Sequence, residues 1–195
     1  MIVETEKLHT KKPDILQAAL KLFVEKGING TTIRDIAQEA GVGEGTLYCH
    51  FKSKEEMAWQ LFYQNLKQFT REMLRQVEGT PGGCRQKIRA VVQAFFELAE
   101  ERPLLFAYLL LGEHTELKKF PQEALRPKDV LIQLVEEVKE AGMCREMDSP
   151  LGGALLLGMI LRVAMFKREG LITARLTDLI DKVAAACCRV VGREP

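Results

Sequence analysis

The amino-acid sequence predicts an all-helical chain of about nine helices, and three observations carry that expectation. Apolar residues recur at helical spacing along almost the whole chain, no stretch alternates with period two, and the breaks fall at glycine, proline or Ser/Thr-led capping patterns. With 195 residues, 47% of them hydrophobic, there is enough apolar material for one large or two small helical domains.

The elements follow in order. Ile15, Ala19, Leu22 and Phe23 form one buried stripe, and the helix they mark stops at Gly27. Thr32-Ile33-Arg34-Asp35 is a capping pattern that opens a second helix, with Ile33, Ile36, Ala37 and Ala40 inward and Gly41 as its stop. A brief third helix covers Glu44 to Phe51, where Leu47 and Phe51 are i, i+4 partners. Ser53-Lys54-Glu55-Glu56 opens a fourth, whose stripe of Phe62, Leu66, Phe69, Met73 and Val77 implies about 25 residues and a length of about 37 Å. Gly79-Thr80-Pro81-Gly82-Gly83 is the clearest break in the chain. Beyond it, Ile88, Val91, Val92, Phe95 and Ala99 mark a fifth helix, and Pro103 opens the apolar run 104–111. Residues 113–121 read as a looser segment. Pro127 starts a helix with Leu131, Leu134, Val135 and Val138 inward, stopping at Gly142; Pro150 starts another that runs to Gly170; the last carries Leu176, Leu179, Ile180, Val183, Cys187 and Val191.

Composition narrows the function classes. The first twelve residues have no apolar run, so neither a secretory nor a transit peptide is expected, and the chain is assigned to the cytoplasm. The longest uncharged apolar stretches, 104–112 and 151–161, are about half of the ~20 residues a bilayer span requires, so no membrane anchor is expected. Five cysteines without a C-x-x-C pair read as reduced thiols, and His9, His50 and His114 share no ligand spacing with them, so neither a metal nor any other cofactor is expected. Net charge is +1, and residues 1–60 hold eight Lys or Arg against nine Asp or Glu, 8 − 9 = −1. If this end binds nucleic acid, positive charge must be placed locally.

A helix ending at glycine, a short turn, and a second helix too small to hold a core alone is the layout of a helix-turn-helix, although ordinary caps and turns in a bundle share that spacing. In that layout Val42, Leu47 and Phe51 pack on Ile33, Ile36 and Ala37, leaving the rest of 43–50 to face a major groove. Gly45 lets backbone approach phosphate closely, and Thr32 offers a hydroxyl beside helix N-terminal N–H groups. Lys11, Lys12, Lys52 and Lys54 are the expected local phosphate attraction. The full string Thr32-Ile33-Arg34-Asp35-Ile36-Ala37-Gln38-Glu39-Ala40-Gly41-Val42-Gly43-Glu44-Gly45-Thr46-Leu47-Tyr48-Cys49-His50-Phe51-Lys52-Ser53-Lys54-Glu55 closely resembles the signature of the TetR/AcrR transcriptional regulators. With the preceding helix the resemblance covers roughly residues 12–58. It implies a DNA-binding domain over 8–58, a helical ligand-binding and dimerisation domain over 59–195, and a repressor rather than an enzyme. Carried over by position, it implies phosphate contacts by Thr32, Tyr48, His50 and Lys54, and base-edge or close backbone contacts by Gly43, Glu44, Gly45 and Thr46. Cys49 and Glu44 depart from the usual pattern. A carboxylate at 44 either accepts from cytosine N4 or stands as a bystander.

The partners implied are double-stranded operator DNA of two-fold symmetry, a second copy of the chain, and an apolar small-molecule inducer. The apolar run 151–158 and the amphipathic last helix suggest a homodimer through Leu151, Leu155, Gly158, Leu179, Val183 and Cys187, with Gly153 and Ala184 also permitting close approach. Family resemblance places a ligand pocket among the second domain's helices, with Phe69, Phe95, Phe106, Leu109, Leu110, Leu134, Met159, Arg162 and Phe166 as walls. Arg162 pairs either with an anionic group on the ligand or with an acid across the dimer. The rival readings are a regulator worked by a protein partner and a helical enzyme. Gly41-Val42-Gly43-Glu44-Gly45 has no preceding strand to make it a nucleotide loop, Glu113, His114 and Glu116 lack a nucleophile, and Cys187-Cys188 reads as packing.

Overall fold

Helical spacing in the sequence becomes nine α-helices and no strand among the residues that the computed structural model describes, 11–111, 121, 123–142 and 147–192. They are α1 Lys12–Lys26, α2 Ile33–Ala40, α3 Glu44–His50, α4 Lys54–Glu78, α5 Cys84–Glu101, α6 Pro103–Phe106, α7 Pro127–Glu140, α8 Ser149–Arg168 and α9 Ile180–Val191. A π-helical turn, Ala107–Leu111, continues α6, and a 3₁₀ turn, Thr177–Leu179, precedes α9. Residues 1–10, His114 with its acidic neighbours, and Cys144 lie outside the described residues. The chain divides into two compact units at Phe62 and Tyr63, inside α4.

In the first unit Ile15, Ala19, Leu22 and Phe23 of α1 bury against Ile36 and Ala37 of α2 and Leu47 of α3, with Phe51 at 2% exposure closing the small core. Thr31 is fully buried, its hydroxyl directed at the carbonyl of Gly27 at 2.8 Å. An exposed ion pair, Lys21 to Glu39 at 2.7 Å, joins α1 to α2.

In the second unit α5 is central, contacting α7, α8 and α9. Ile88, Val91, Val92, Phe95 and Phe96 fill the core with Leu131, Leu134 and Val135 from α7 and Leu156 and Ile160 from α8. Polar ties fix the helices in register. Lys87 pairs with Glu137 at 2.6 Å, Arg89 with Asp181 at 2.6 Å, and Glu100 accepts from the Leu176 N–H and, at 3.0 Å, from the Thr177 hydroxyl. Asp148 caps α8 by accepting from the Leu151 N–H at 3.1 Å.

The glycines of α8 depart from expectation. A Cβ on Gly152 would stand 2.7 Å from Val135 Cγ1, and one on Gly153 2.8 Å from Ile132 Cγ1, so both allow α7 to approach α8 within the subunit. Only Gly158 of the small residues assigned to a subunit interface has open space around it; Ala184 is buried. Among the described residues α8 is also the one helix long and apolar enough to cross a membrane by length and composition, although two thirds of its apolar span is not buried within this chain.

Candidate nucleic-acid interface

The first unit builds its exposed helix from the caps upward. Thr32, extended at φ −104°, lends its hydroxyl oxygen to the Asp35 N–H at 3.1 Å, and the Asp35 carboxylate accepts the Thr32 N–H at 2.9 Å. Two donors that the helix start would leave unpaired are thus satisfied reciprocally. The backbone N–H of Thr32, ahead of its side chain, holds the Asp35 carboxyl below the ordinary carboxylate range. A group held low in the folded state stabilises above its unfolded pKa, and that stability is lost as pH falls through the folded one. The melting-temperature gap between wild type and Asp35→Asn should accordingly be present at neutral pH and close in acid; a gap that grew on acidification would contradict the cap.

At its other end α2 stops because Gly41 takes φ +64°, ψ 36°, a left-handed conformation that costs glycine nothing. That residue directs its N–H to the carbonyls of Ala37 and Gln38, and Val42 N–H reaches Ala37 at 3.0 Å, turning the chain at once into α3. Leu47 is the fully buried residue of α3 and holds it to the core. The opposite face carries Glu44, Gly45, Tyr48 and Cys49, all exposed, with Thr46 and His50 half-buried and Gly43 exposed at the N-cap. Tyr48 leaves 59% of its surface in solvent, a large aromatic ring more exposed than buried. Of the residues that sequence reasoning assigned to a groove, Glu44, Gly45 and Tyr48 therefore share one exposed face, and Thr46 and His50 lie half-buried beside it.

The cations are placed less simply. Lys54 sits half-buried at the start of α4 and donates from Nζ to the Thr31 carbonyl at 2.9 Å and toward that of Asn29 at 3.4 Å, closing the loop before α2. Lys12 stacks its ammonium 5.3 Å from the Phe51 ring centroid, and Lys11 pairs with Asp14 at 3.3 Å. Lys52 is exposed. Its backbone N–H donates to Glu56 at 2.6 Å, while Ser53 Oγ accepts from the Glu56 N–H at 3.1 Å. Arg34, exposed in the first turn of α2, is a cation that sequence reasoning left without a role, although its place beside the cap was visible.

In the second unit the apolar set is brought together in part. Phe69 meets Phe95 edge-to-face at 5.1 Å, and Phe106, Leu109 and Leu134 are buried with them in the core; Leu110 and Met159 are half-buried. Between α4 and α5 a cleft of about 540 Å³ has Phe69, Met73, Ala94 and Leu98 on its floor and Arg75, Arg102, Glu72 and Glu97 at its edges. Two proposed walls belong elsewhere. Because Gly152, Gly153, Leu156, Ile160 and Ala164 turn inward, Arg162 and Phe166 fall on the outward face of α8, where the guanidinium stands 5.3 Å from the ring centroid. Leu151, Leu155 and Gly158 share that outward face. Leu179 of the 3₁₀ turn and Val183, Ala186 and Val190 of α9 are half-exposed, whereas Cys187 is fully buried: α9 turns Ile180, Ala184, Cys187 and Val191 inward, in line with buried Leu176 before it, which takes Cys187 out of the assigned interface.

Comparison with known proteins places the first unit. Residues 15–61 match the family model described as bacterial regulatory proteins, tetR family. The chain is 30% identical over 121 residues to the HTH-type transcriptional repressor KstR2 of Mycolicibacterium smegmatis, a match spanning 62% of this chain and 53% of that protein. It is 26% identical over 155 residues to the fatty acid metabolism regulator protein of Bacillus subtilis, spanning 77% and 79%. The chain thus spans about half the length of the mycobacterial repressors, and more of the Bacillus protein. A crystal structure of the transcriptional regulator FadR from Bacillus subtilis in complex with stearoyl-CoA shares the fold, at a TM-score of 0.74 and 24% identity over 90% of this chain and 97% of that one. These relatives are regulators, not enzymes.

Proposed function

We propose that this chain, which belongs to the TetR family of bacterial regulatory proteins, represses transcription by binding a two-fold-related operator as a homodimer and is released from it by an apolar small molecule. The carrying observation is the α2–turn–α3 unit. It has a capped first helix, a left-handed Gly41 turn, and a short second helix whose Glu44, Gly45 and Tyr48 face is exposed. A helix so presented enters a major groove, with Thr32, Tyr48, His50 and Lys52 on phosphates and Gly43 to Thr46 against base edges. Lys54 acts by holding the loop before α2, in place of the phosphate contact its sequence position suggested. The domain boundary near residue 58 belongs to the same proposal, as does action in the cytoplasm.

For the inducer, the Phe69–Phe95 core and the α4–α5 cleft, apolar on its floor and charged at its rim, suit an acyl chain carried by an anionic head group. The Bacillus relative crystallised with stearoyl-CoA supports an acyl thioester as the first ligand to try.

Selection of binding sites from random duplex DNA by the purified full chain tests the reading. A two-fold-related sequence is expected, with half-sites one helical turn or a multiple apart. Because residues 1–60 carry a net charge of −1, the fall of affinity with salt should be shallow for a DNA-binding protein. Tyr48→Ala should weaken binding to every sequence by roughly tenfold, whereas Glu44→Ala should change the preferred base at one position. Failure to enrich any sequence, with Tyr48→Ala indistinguishable from wild type, would overturn the proposal.

A further inference from the structure

Away from the DNA-binding unit, the start of α5 and the ends of α7 and α9 enclose a cleft of about 300 Å³. Its walls include Ile88, Val138 and Val191, and its lining is mostly apolar. Two thiols line it, Cys84 from α5 and Cys188 from α9, together with Arg85. Neither cysteine is disulfide-bonded, and both are half-buried, open enough to meet a small molecule entering the cleft. Cys187, one residue before Cys188, is fully buried instead, and burial pushes its thiol up to about 12. Adjacent cysteines thus serve different purposes, one packing the core and the other facing a cavity.

We propose that this cleft is a covalent binding site for a small apolar electrophile of the enone or quinone class, with Cys84 as the attacking thiol. Cys84 is the first residue of an 18-residue helix whose N-cap, Gly83, supplies no side-chain acceptor and whose first turn holds no acid. The start of a helix is a position that favours a nucleophilic sulfur. Cys188, from α9, stays protonated, because burial raises its pKa against the opposing pull of Arg85 and Arg189. The apolar walls select the occupant. Peroxide or a charged oxidant gains nothing from Ile88, Val138 and Val191, whereas a conjugated ring or short enone is concentrated beside the sulfur.

The step balances without an oxidant. The thiolate sulfur forms a bond to the β-carbon as the C=C π bond opens, the electron pair moves onto the carbonyl oxygen as an enolate, and the proton given up by the thiol returns to the α-carbon. The adduct is a thioether.

Labelling of the full chain by N-phenylmaleimide and by iodoacetamide, followed by peptide mass spectrometry, separates this site from ordinary thiol reactivity. Cys49 is exposed on α3 and serves as the internal reference. With N-phenylmaleimide, Cys84 should react at least about tenfold faster than Cys49, with a rate that saturates as reagent fills the cleft. The unreactive analogue N-phenylsuccinimide should protect Cys84 and leave Cys49 unaffected. With iodoacetamide, which has no apolar body to bind, the rate at Cys84 should not saturate and the succinimide should give no protection. First labelling at Cys49 or Cys188 by N-phenylmaleimide, or an absence of protection by the succinimide, would overturn the assignment. No substitution enters the measurement, so loss of folding cannot imitate either result, and the outcome is independent of whether the chain binds an operator.

Discussion

Replacing Leu155 with arginine should turn the protein into a monomer at micromolar concentration and lower operator affinity by at least about 100-fold, the avidity lost when two half-sites are no longer joined. The outward face of α8 carries Leu151 and Leu155, 51% and 41% exposed, then Gly158, with the stacked pair Arg162 and Phe166 beyond. The half-exposed Leu179 before α9 and Val183, Ala186 and Val190 on it repeat at helical spacing, and α8 contacts α9. In the proposed homodimer a second copy related by a two-fold axis would cover this apolar surface with the same residues. Gly158, with nothing near its missing Cβ, leaves room for a facing helix. Because Leu155 lies in solvent within one subunit, the arginine should change monomer stability by no more than about 0.5 kcal/mol. Analytical ultracentrifugation and circular dichroism on the variant check both halves of the expectation. A dimer retained with full operator affinity would remove α8 from the interface, and wild-type chain floating with lipid vesicles would assign that face to a bilayer instead.

The extent to which this was legible in the sequence follows from what periodicity can and cannot encode. Caps and stops are local chemistry, so Thr32 with Asp35, Gly41, and the 25-residue reach of α4 were readable from residue types alone. The all-α class followed from spacing, and the family from one contiguous string that the family match at 15–61 bears out. What escaped depends on neighbours distant in sequence. Whether Gly153 spaces two subunits or two helices of one subunit is decided by Ile132, twenty-one positions earlier, and no local pattern carries that. Helix α8 is apolar on all sides, so its inward direction could not be read, and Arg162 and Phe166 were assigned to the wrong face. On α9, Val183 and Cys187 both satisfy an apolar stripe. The tie of Glu100 to Leu176 and Thr177 and that of Arg89 to Asp181 accompany an α9 that turns Cys187 inward and leaves Val183 at the edge. Lys54 illustrates the same limit in the first unit: a basic residue at a helix start suits a phosphate, but the carbonyls of Asn29 and Thr31 reach it first.

A long-chain acyl thioester should weaken operator binding by about 5–150-fold, and saturating operator should weaken thioester binding by the same factor, because the coupling free energy between two sites is one quantity read from either end. The expectation rests on α4, an unbroken helix of 25 residues that carries both Trp59 and Phe69. Phe69 lies on the floor of the α4–α5 cleft and against Phe95, so an acyl chain entering there must displace or reorient residues of α4. A close-packed core responds to such insertion by shifting whole elements rather than by yielding locally. A tilt of α4 would change the separation of two recognition helices that must meet major grooves about 34 Å apart, and only a state with the matching separation binds both half-sites. Trp59, the single tryptophan, should therefore change its emission over the same ligand concentrations that release the operator. Ala94→Phe should reduce both responses together, since it narrows the cleft beside Phe69 and leaves Trp59 the single tryptophan. Constant Trp59 emission and constant distance between labelled recognition helices, with operator release intact, would rule out tilting and leave a change in flexibility as the carrier. Operator affinity indifferent to the thioester, with a melting temperature equally indifferent, would instead favour control by a protein partner.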